Sequence, residues 1–261
     1  MNFSKSLKIV LDPGHVGSNF FDLRKLIGEE RYFYEGDFCF FWATLVAEKL
    51  KKAGHSVILS RDARLPSKLL SEFEIASRRA QLAEYTDEEL LRRFRVPVKF
   101  YSDINTSNLV SAALQNEGDL LNRARYINSL KPDLCLSLHL NGDPKQIRTD
   151  QNGISGLTNQ ASDRNFDLFE QIIQNLKSKT SLATFRFDEL KEVRQGVFID
   201  ESLTLLRNVY VPILLVEGPF QNNYQELDKL FLAQDEFVKS GEGIGRLAEL
   251  SDGMVEALFF L

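Results

Sequence analysis

At 261 residues, 43% of them hydrophobic, the chain carries enough apolar material for one full core, in a single large domain or a domain with insertions. A formal net charge of −5, with acids and bases interspersed, excludes the basic footprint of a nucleic-acid binder. No apolar stretch reaches the ~18 residues of a membrane span, and the opening Met1-Asn-Phe-Ser-Lys-Ser lacks the apolar segment of a signal peptide before the first strand begins.

The first apolar run, residues 7–11, is short, β-branched and stopped by Asp12-Pro13-Gly14, which predicts a buried strand. Residues 16–34 are irregular and aromatic. A helix is predicted over 36–52, with Asp37 in its first turn, Lys49, Lys51 and Lys52 in its last, and Gly54 as its stop. The run 56–60 is the next strand, so 7–60 reads as a βαβ unit with a right-handed crossover. Beyond it the pattern loosens. An amphipathic helix is predicted near 71–84, and Thr86-Asp-Glu-Glu89 resembles a capping box opening a second helix that ends before Pro97.

Residues 119–130 form another helix, closed by Lys131-Pro132, and 133–140 the third strand. Polar, glycine-containing residues 142–160 read as a loop. Residues 162–179 are helical, 212–216 make the last strand, and 224–260 are mostly helical. Alternating strands and helices define an α/β fold. It has a central mostly parallel sheet flanked by helices, one domain over 1–261, and a helical insertion at about 63–118. Cys39 and Cys135 lie in apolar runs without ligand spacing and read as reduced core thiols.

Two of the three histidines end such strands: His15 after Leu11-Asp-Pro-Gly14, and His139 in Asp133-Leu-Cys-Leu-Ser-Leu-His. Ligands of open α/β sheets bind at the carboxyl ends of the strands, and a hydrolytic zinc site takes three N/O ligands and keeps a fourth position for water. The third ligand would come from the loop after the first strand or the start of the first helix. Glu35 is best placed, with Glu29 and Glu30 next on spacing alone. Glu217, placed by Ile213-Leu-Leu-Val216 and followed by Gly218-Pro219, suits proton transfer at such a site, and equally suits an ion pair at a strand end. Asp12 could hold an imidazole in place, Asn141 points to the same side as His139, and His55 lies in a turn at the opposite edge and reads as solvated.

Four motifs keep one order: Leu11-Asp-Pro-Gly-His15, Glu35 at a helix start, Arg123-(x4)-Asn128 before Asp133–Asn141, and Leu215-Val-Glu217-Gly-(x)-Phe220-(x)-Asn222. Together with Gly54-His-Ser-Val-Ile-Leu-Ser-Arg61-Asp62 and Arg194-Gln-Gly196-Val197 they resemble the zinc-dependent N-acetylmuramoyl-L-alanine amidases, over about residues 7–62 and 119–250. The chain departs from that family's pattern at Val16-Gly17, at Leu140 and at Pro219, which is inserted after the catalytic Glu. None of these changes removes a ligand.

The resemblance implies one Zn²⁺ held by His15, Glu35 and His139, with Glu217 in catalysis and Arg194 as a further residue near substrate. The reaction implied is hydrolysis of the amide between N-acetylmuramic acid and L-alanine of the peptidoglycan stem peptide. It implies a periplasmic or cell-envelope location, and a protein activator if the insertion is inhibitory. The rival readings are a zinc peptidase or amidohydrolase on a small non-wall amide, and a non-catalytic wall-binding module.

Overall fold

The computed structural model describes residues 6–15, 23–25, 32–61, 72–93, 106–142 and 148–259. The first βαβ unit is β1 (Lys8–Pro13), α1 (Glu35–Lys52) and β4 (Ser56–Leu59), preceded on the α1 side by a short antiparallel pair, β2 (Leu23–Lys25) and β3 (Tyr32–Tyr34). Then come α2 (Glu72–Gln81), α3 (Asp87–Arg93), α4 (Thr106–Leu130) and β5 (Leu134–Asn141). The second half contains β6 (Ser155–Thr158), α5 (Phe166–Thr180), β7 (Lys191–Arg194), β8 (Val197–Ile199), α6 (Thr204–Asn208), β9 (Ile213–Phe220), α7 (Glu226–Ser240) and α8 (Gly245–Leu258).

Seven strands form one sheet in the order β4-β1-β5-β9-β6-β8-β7. The first four are mutually parallel, β6 runs antiparallel to β9, β8 is parallel to β6, and β7 is antiparallel to β8. Alternation along the strands separates two cores. Ile9, Leu11, Leu136, Leu138, Leu214 and Val216 pack with α1, α5, α7 and α8. Val10, Cys135, Ile213 and Leu215 face Ala124 and Ile127 of α4 and Leu205 and Leu206 of α6. Trp42, Phe38 and Phe41 are buried in the first core, and both cysteines are buried and free.

Two elements and one histidine differ from the sequence expectation. The stretch 142–160, expected as loop, contains β6, whose polar residues are satisfied locally: Ser155 donates to the Phe185 carbonyl (2.6 Å) and Thr158 to that of Ile213 (2.6 Å). A Cβ on Gly156 would lie 2.7 Å from Leu214 Cδ1 and 3.2 Å from Ile173 Cδ1, so a larger residue would press on the α5 and β9 side chains that close over this strand. The helix expected at 119–130 begins at Thr106, so the last part of the supposed insertion is the first half of α4. Leu90, Val110, Ala113 and Leu114 are buried in this region, where α2 and α3 pack on α4. The capping box at the start of α3 forms as read: Glu89 accepts from the Thr86 amide (2.8 Å) and its own amide donates to Thr86 Oγ1 (3.2 Å). His55, expected solvated, is half-buried at the amino end of β4 and accepts from the Leu7 amide (3.3 Å) through Nδ1. Burial lowers its pKa.

The carboxyl-terminal helices are tied by a buried ion pair. Arg246 of α8 makes two bonds to Glu226 of α7, Nε to Oε2 (2.7 Å) and Nη2 to Oε1 (2.8 Å), and also donates to the Thr180 carbonyl of α5 (2.9 Å). Burial raises the Glu226 pKa, but Arg246 and Lys229 outweigh it and hold the carboxyl below its usual range. Removing one partner of a buried pair typically costs about 3–5 kcal/mol. Arg246→Met should therefore lower unfolding free energy by about that much at neutral pH in urea titrations. Because the Glu226 pKa is depressed on folding, its contribution is complete above the ordinary carboxyl value of 4.5 and fades as pH falls through the folded value. The gap between wild type and variant should narrow in acid; a constant gap down to that range would show that the pair does not carry it.

Candidate active site

β1 and β5 are neighbours, yet the chain leaves β1 for β4 on one side and reaches β5 on the other. This is a topological switch point, where the carboxyl ends of the strands leave a crevice. His15 follows β1, His139 lies at the end of β5, and Glu35 is the first residue of α1. Their ligand atoms lie within 4.8 Å of one another. Glu35 Oε1 is 3.2 Å from His15 Nε2 and 3.7 Å from His139 Nδ1, and the two imidazole centroids are 5.0 Å apart. Glu29 and Glu30 lie outside the described residues.

Each donor is placed by backbone. Glu35 is buried, and its Oε1 accepts from the Leu140 amide (2.9 Å) while Oε2 accepts from Gln221 Nε2 (2.6 Å). The helix N-terminus behind it also favours the carboxylate. Burial pushes the Glu35 pKa up, but the His15 charge and hydrogen bonds from both imidazoles bring it well below the carboxylate range. Burial lowers the His139 pKa, against the hydrogen bond to Glu35, which raises it. The Gly14 amide donates to the Leu138 carbonyl (2.7 Å), and a Cβ at Gly14 would sit 2.5 Å from His139 Nδ1. His15 itself has φ 53°, a left-handed conformation unusual outside glycine.

The turn that presents His15 rests on a buried cluster of four charges. Asp12 accepts from Ser60, from Ser137 (2.7 Å) and from Arg123 Nη1 (3.0 Å). It is therefore held against α4; its hydrogen bonds go to these three side chains, and His139 acts on it through charge. Burial raises its pKa, and Arg123 with the two serines brings it below the usual value. Arg123 also donates to the Pro13 carbonyl (3.0 Å), and its Nε is 2.9 Å from Asp119. Arg61 bonds the carbonyls of Pro13 (3.3 Å), Gly14 (3.1 Å) and Gly36 (3.0 Å), joining the His15 turn to the first turn of α1.

Glu217 on β9 is in register with His139 on β5. In-register neighbours of parallel strands point to the same face, here the face covered by α4. Asn141 follows at a bulge. Its Oδ1 accepts from the Gly142 amide (2.8 Å), and its Nδ2 is buried without a partner among the described residues. Arg194 is placed elsewhere, on the edge strand β7, four strands from β5 in the sheet order, where Nε pairs with Asp167 of α5 at 2.6 Å. Gln221 and Arg61 were not singled out for the site from sequence. A polar side chain directly after Phe220, at the end of β9, was the only local hint of Gln221.

Residues 9–240 match the family described as N-acetylmuramoyl-L-alanine amidase (Amidase_3). The chain belongs to that family and is an enzyme that hydrolyses the amide between N-acetylmuramic acid and L-alanine in peptidoglycan. No curated protein matches it. Among solved structures it is similar to an N-acetylmuramoyl-L-alanine amidase from Clostridium difficile 630, at 18% identity, TM-score 0.58, covering 98% of this chain and 97% of that one. It is also similar to the CwlD amidase from Clostridioides difficile in complex with the GerS lipoprotein, at 18% identity and TM-score 0.61, covering 97% and 96%. A third is Ami1 from Mycobacterium abscessus, at 15% identity and TM-score 0.59, covering 98% and 99%. At such identities these likenesses establish the shared fold.

The close approach at Gly14 makes a stability prediction. Gly14→Ala should cost about 1–3 kcal/mol through overpacking and should move the His139 imidazole resonances in NMR spectra. A variant with wild-type stability and unshifted His139 signals would show that the turn has room to spare.

Proposed function

We propose that the enzyme works with one zinc ion held by His15 Nε2, Glu35 Oε1 and His139 Nδ1. The observation that carries this reading is the convergence of those three donors. A tetrahedral ion with bonds of about 2.0–2.1 Å spaces its ligand atoms roughly 3.3–3.4 Å apart. The separations of 3.2 and 3.7 Å from Glu35 Oε1 bracket that value. Two imidazoles and one carboxylate also match the donor set of hydrolytic zinc sites, which leave one position open.

When bound, the ion would supply a Lewis acid for the scissile carbonyl and for the attacking water. Glu217, beside His139 on the neighbouring strand, takes the water's proton as its oxygen adds to the carbonyl carbon. It then returns that proton to the alanine nitrogen as the C–N bond breaks. The products are a free lactyl carboxylate and a free peptide amine. The substrate is a cell-envelope polymer, so the enzyme acts there; no described helix is long and apolar enough to cross a membrane.

The region 63–118 governs access to this site in the same reading. Lys8 Nζ at the bottom of β1 reaches the Leu130 carbonyl (2.6 Å), and Arg123 reaches the top of β1, so α4 runs antiparallel to the strands. Its 25 residues span about 37 Å at 1.5 Å per residue. The eight residues of β5 span only about 26 Å. The first half of α4 therefore rises past the carboxyl edge on the face where His139 and Glu217 point. One similar amidase, CwlD, is in complex with a lipoprotein; a protein partner of this chain that shifts α2, α3 and α4 would act at that wall.

Purified enzyme should hold about one zinc per chain, and His15→Ala, Glu35→Ala and His139→Ala should each lose most of it. Full zinc in Glu35→Ala would reopen the ligand set to Glu29 or Glu30. Glu217→Gln should keep zinc and fold while turnover on peptidoglycan, read as released muropeptide amines, drops by ~10²–10⁴-fold. Near-normal turnover would assign the base elsewhere. Because α4 is continuous from Thr106, the test of the wall replaces residues 64–105 with a Gly/Ser linker. The shortened enzyme should keep zinc and change its rate on intact peptidoglycan; an unchanged rate would make the wall decoration.

A further inference from the structure

We propose that Gln221 is a positioning residue for the metal, holding Glu35 Oε2 out of the coordination sphere so that Glu35 ligates through Oε1 alone. The inference rests on the zinc reading above. Glu35 is buried and both of its oxygens are engaged: Oε1 by the Leu140 amide and Oε2 by Gln221 Nε2 at 2.6 Å. Only Oε1 faces both imidazoles. An ionised carboxylate only accepts hydrogen bonds, so chemistry alone fixes the NH₂ end of the Gln221 amide toward it. A carboxylate whose second oxygen is so engaged binds through one atom and leaves a coordination position open.

Gln221 reaches Glu35 because of a bulge. Leu140 pairs with Gly218, but the next residue, Asn141, pairs with Phe220, so Pro219 is an extra residue in β9. A one-residue slip sends every later side chain to the opposite face. Phe220 accordingly turns toward Phe185 (4.8 Å between centroids), which leads on to Phe187 and Phe198 of the α4-side core. Gln221 turns to the α1 side, where Glu35 begins its helix. Without the bulge it would share the face of Glu217. Its own amide donates to the Asn141 carbonyl (2.9 Å), anchoring it to the strand that carries His139. Pro219, read from the sequence as an insertion, thus aims the residue that braces a ligand.

The test uses the full chain and Gln221→Met, which keeps length and volume but donates no hydrogen bond. Zinc affinity is read by chelator competition, and coordination by the visible spectrum of the Co²⁺-loaded protein. The variant should fold, bind zinc about 10–100-fold more weakly, and show the weaker Co²⁺ bands of a higher coordination number. kcat should fall more than KM changes. In the wild type, the Gln221 side-chain amide protons should be shifted downfield and slow to exchange in NMR spectra of the zinc-loaded protein, a readout independent of how the variant folds. Amide protons at the free-glutamine position, or a folded variant with wild-type affinity and Co²⁺ spectrum, would overturn the inference while leaving the zinc site standing. A wild type that takes up no zinc would overturn both.

Discussion

Two buried guanidinium groups hold up the active-site edge of this molecule. Arg61 and Arg123 are each at most 3% exposed, with Asp12 and Asp119 equally buried beside them. The four charges cancel, as burial requires. A buried ion network is weak grounds for stability, because desolvation offsets most of the attraction. Its consequence here is geometric. Four of its hydrogen bonds run to the carbonyls of Pro13, Gly14 and Gly36 and a fifth to Asp12, so the cations grip mainly main chain. Arg61 in particular spans the end of β1 and the start of α1, the two segments that carry His15 and Glu35. A lysine could not replace it, since one ammonium cannot present a rigid fork to three carbonyls.

That grip explains how an unfavourable backbone persists at His15. A non-glycine residue in the left-handed region costs of order 1–3 kcal/mol and survives only where its surroundings determine it. The two carbonyls before His15 are held by Arg61 and Arg123, and the Gly14 amide is held by Leu138. The imidazole is thereby aimed across the crevice at Glu35. Gly14 serves the same end by omission, since any side chain there would displace His139.

The parallel half of the fold was legible in the sequence because its strands are mainly apolar runs, stopped at Asp12 just before His15, at His139 and at Glu217. A strand buried on both faces must read that way, and the residue that breaks the run lands at the crevice. β6, β7 and β8 gave no such signal. Four buried residues, Ser155-Gly-Leu-Thr158, have the composition of a loop; they form a strand because β9 and β8 pair with them and because nearby carbonyls accept their hydroxyls. The early start of α4 was hidden because its first half packs against α2 and α3, not the sheet, so no long apolar stripe marks it. Arg194 was carried over from motif resemblance, and the edge position of β7 separates it from the crevice. Gln221 was invisible for a sharper reason: its direction depends on a bulge, and period-two alternation counted without the bulge assigns it to the wrong face.

The position of the crevice follows from the handedness of chain connections. The β1–α1–β4 crossover moves one way along the sheet and the passage from β4 to β5 moves the other. Right-handed crossovers in opposite directions must lie on opposite faces, and the two cores show α1 on one face and α4 on the other. The carboxyl ends of β1 and β5 are therefore approached from both sides at once. From one side the N-terminus of α1 delivers Glu35, braced by Leu140 and Gln221. From the other, α4 supplies Arg123 beneath the His15 turn and a wall above His139 and Glu217. Glu35 is thus set by one layer, while His139 and Glu217 point toward the other. Because Arg123 lies in the second half of α4, only α2, α3 and the first half of α4 are free of the contacts that hold the His15 turn.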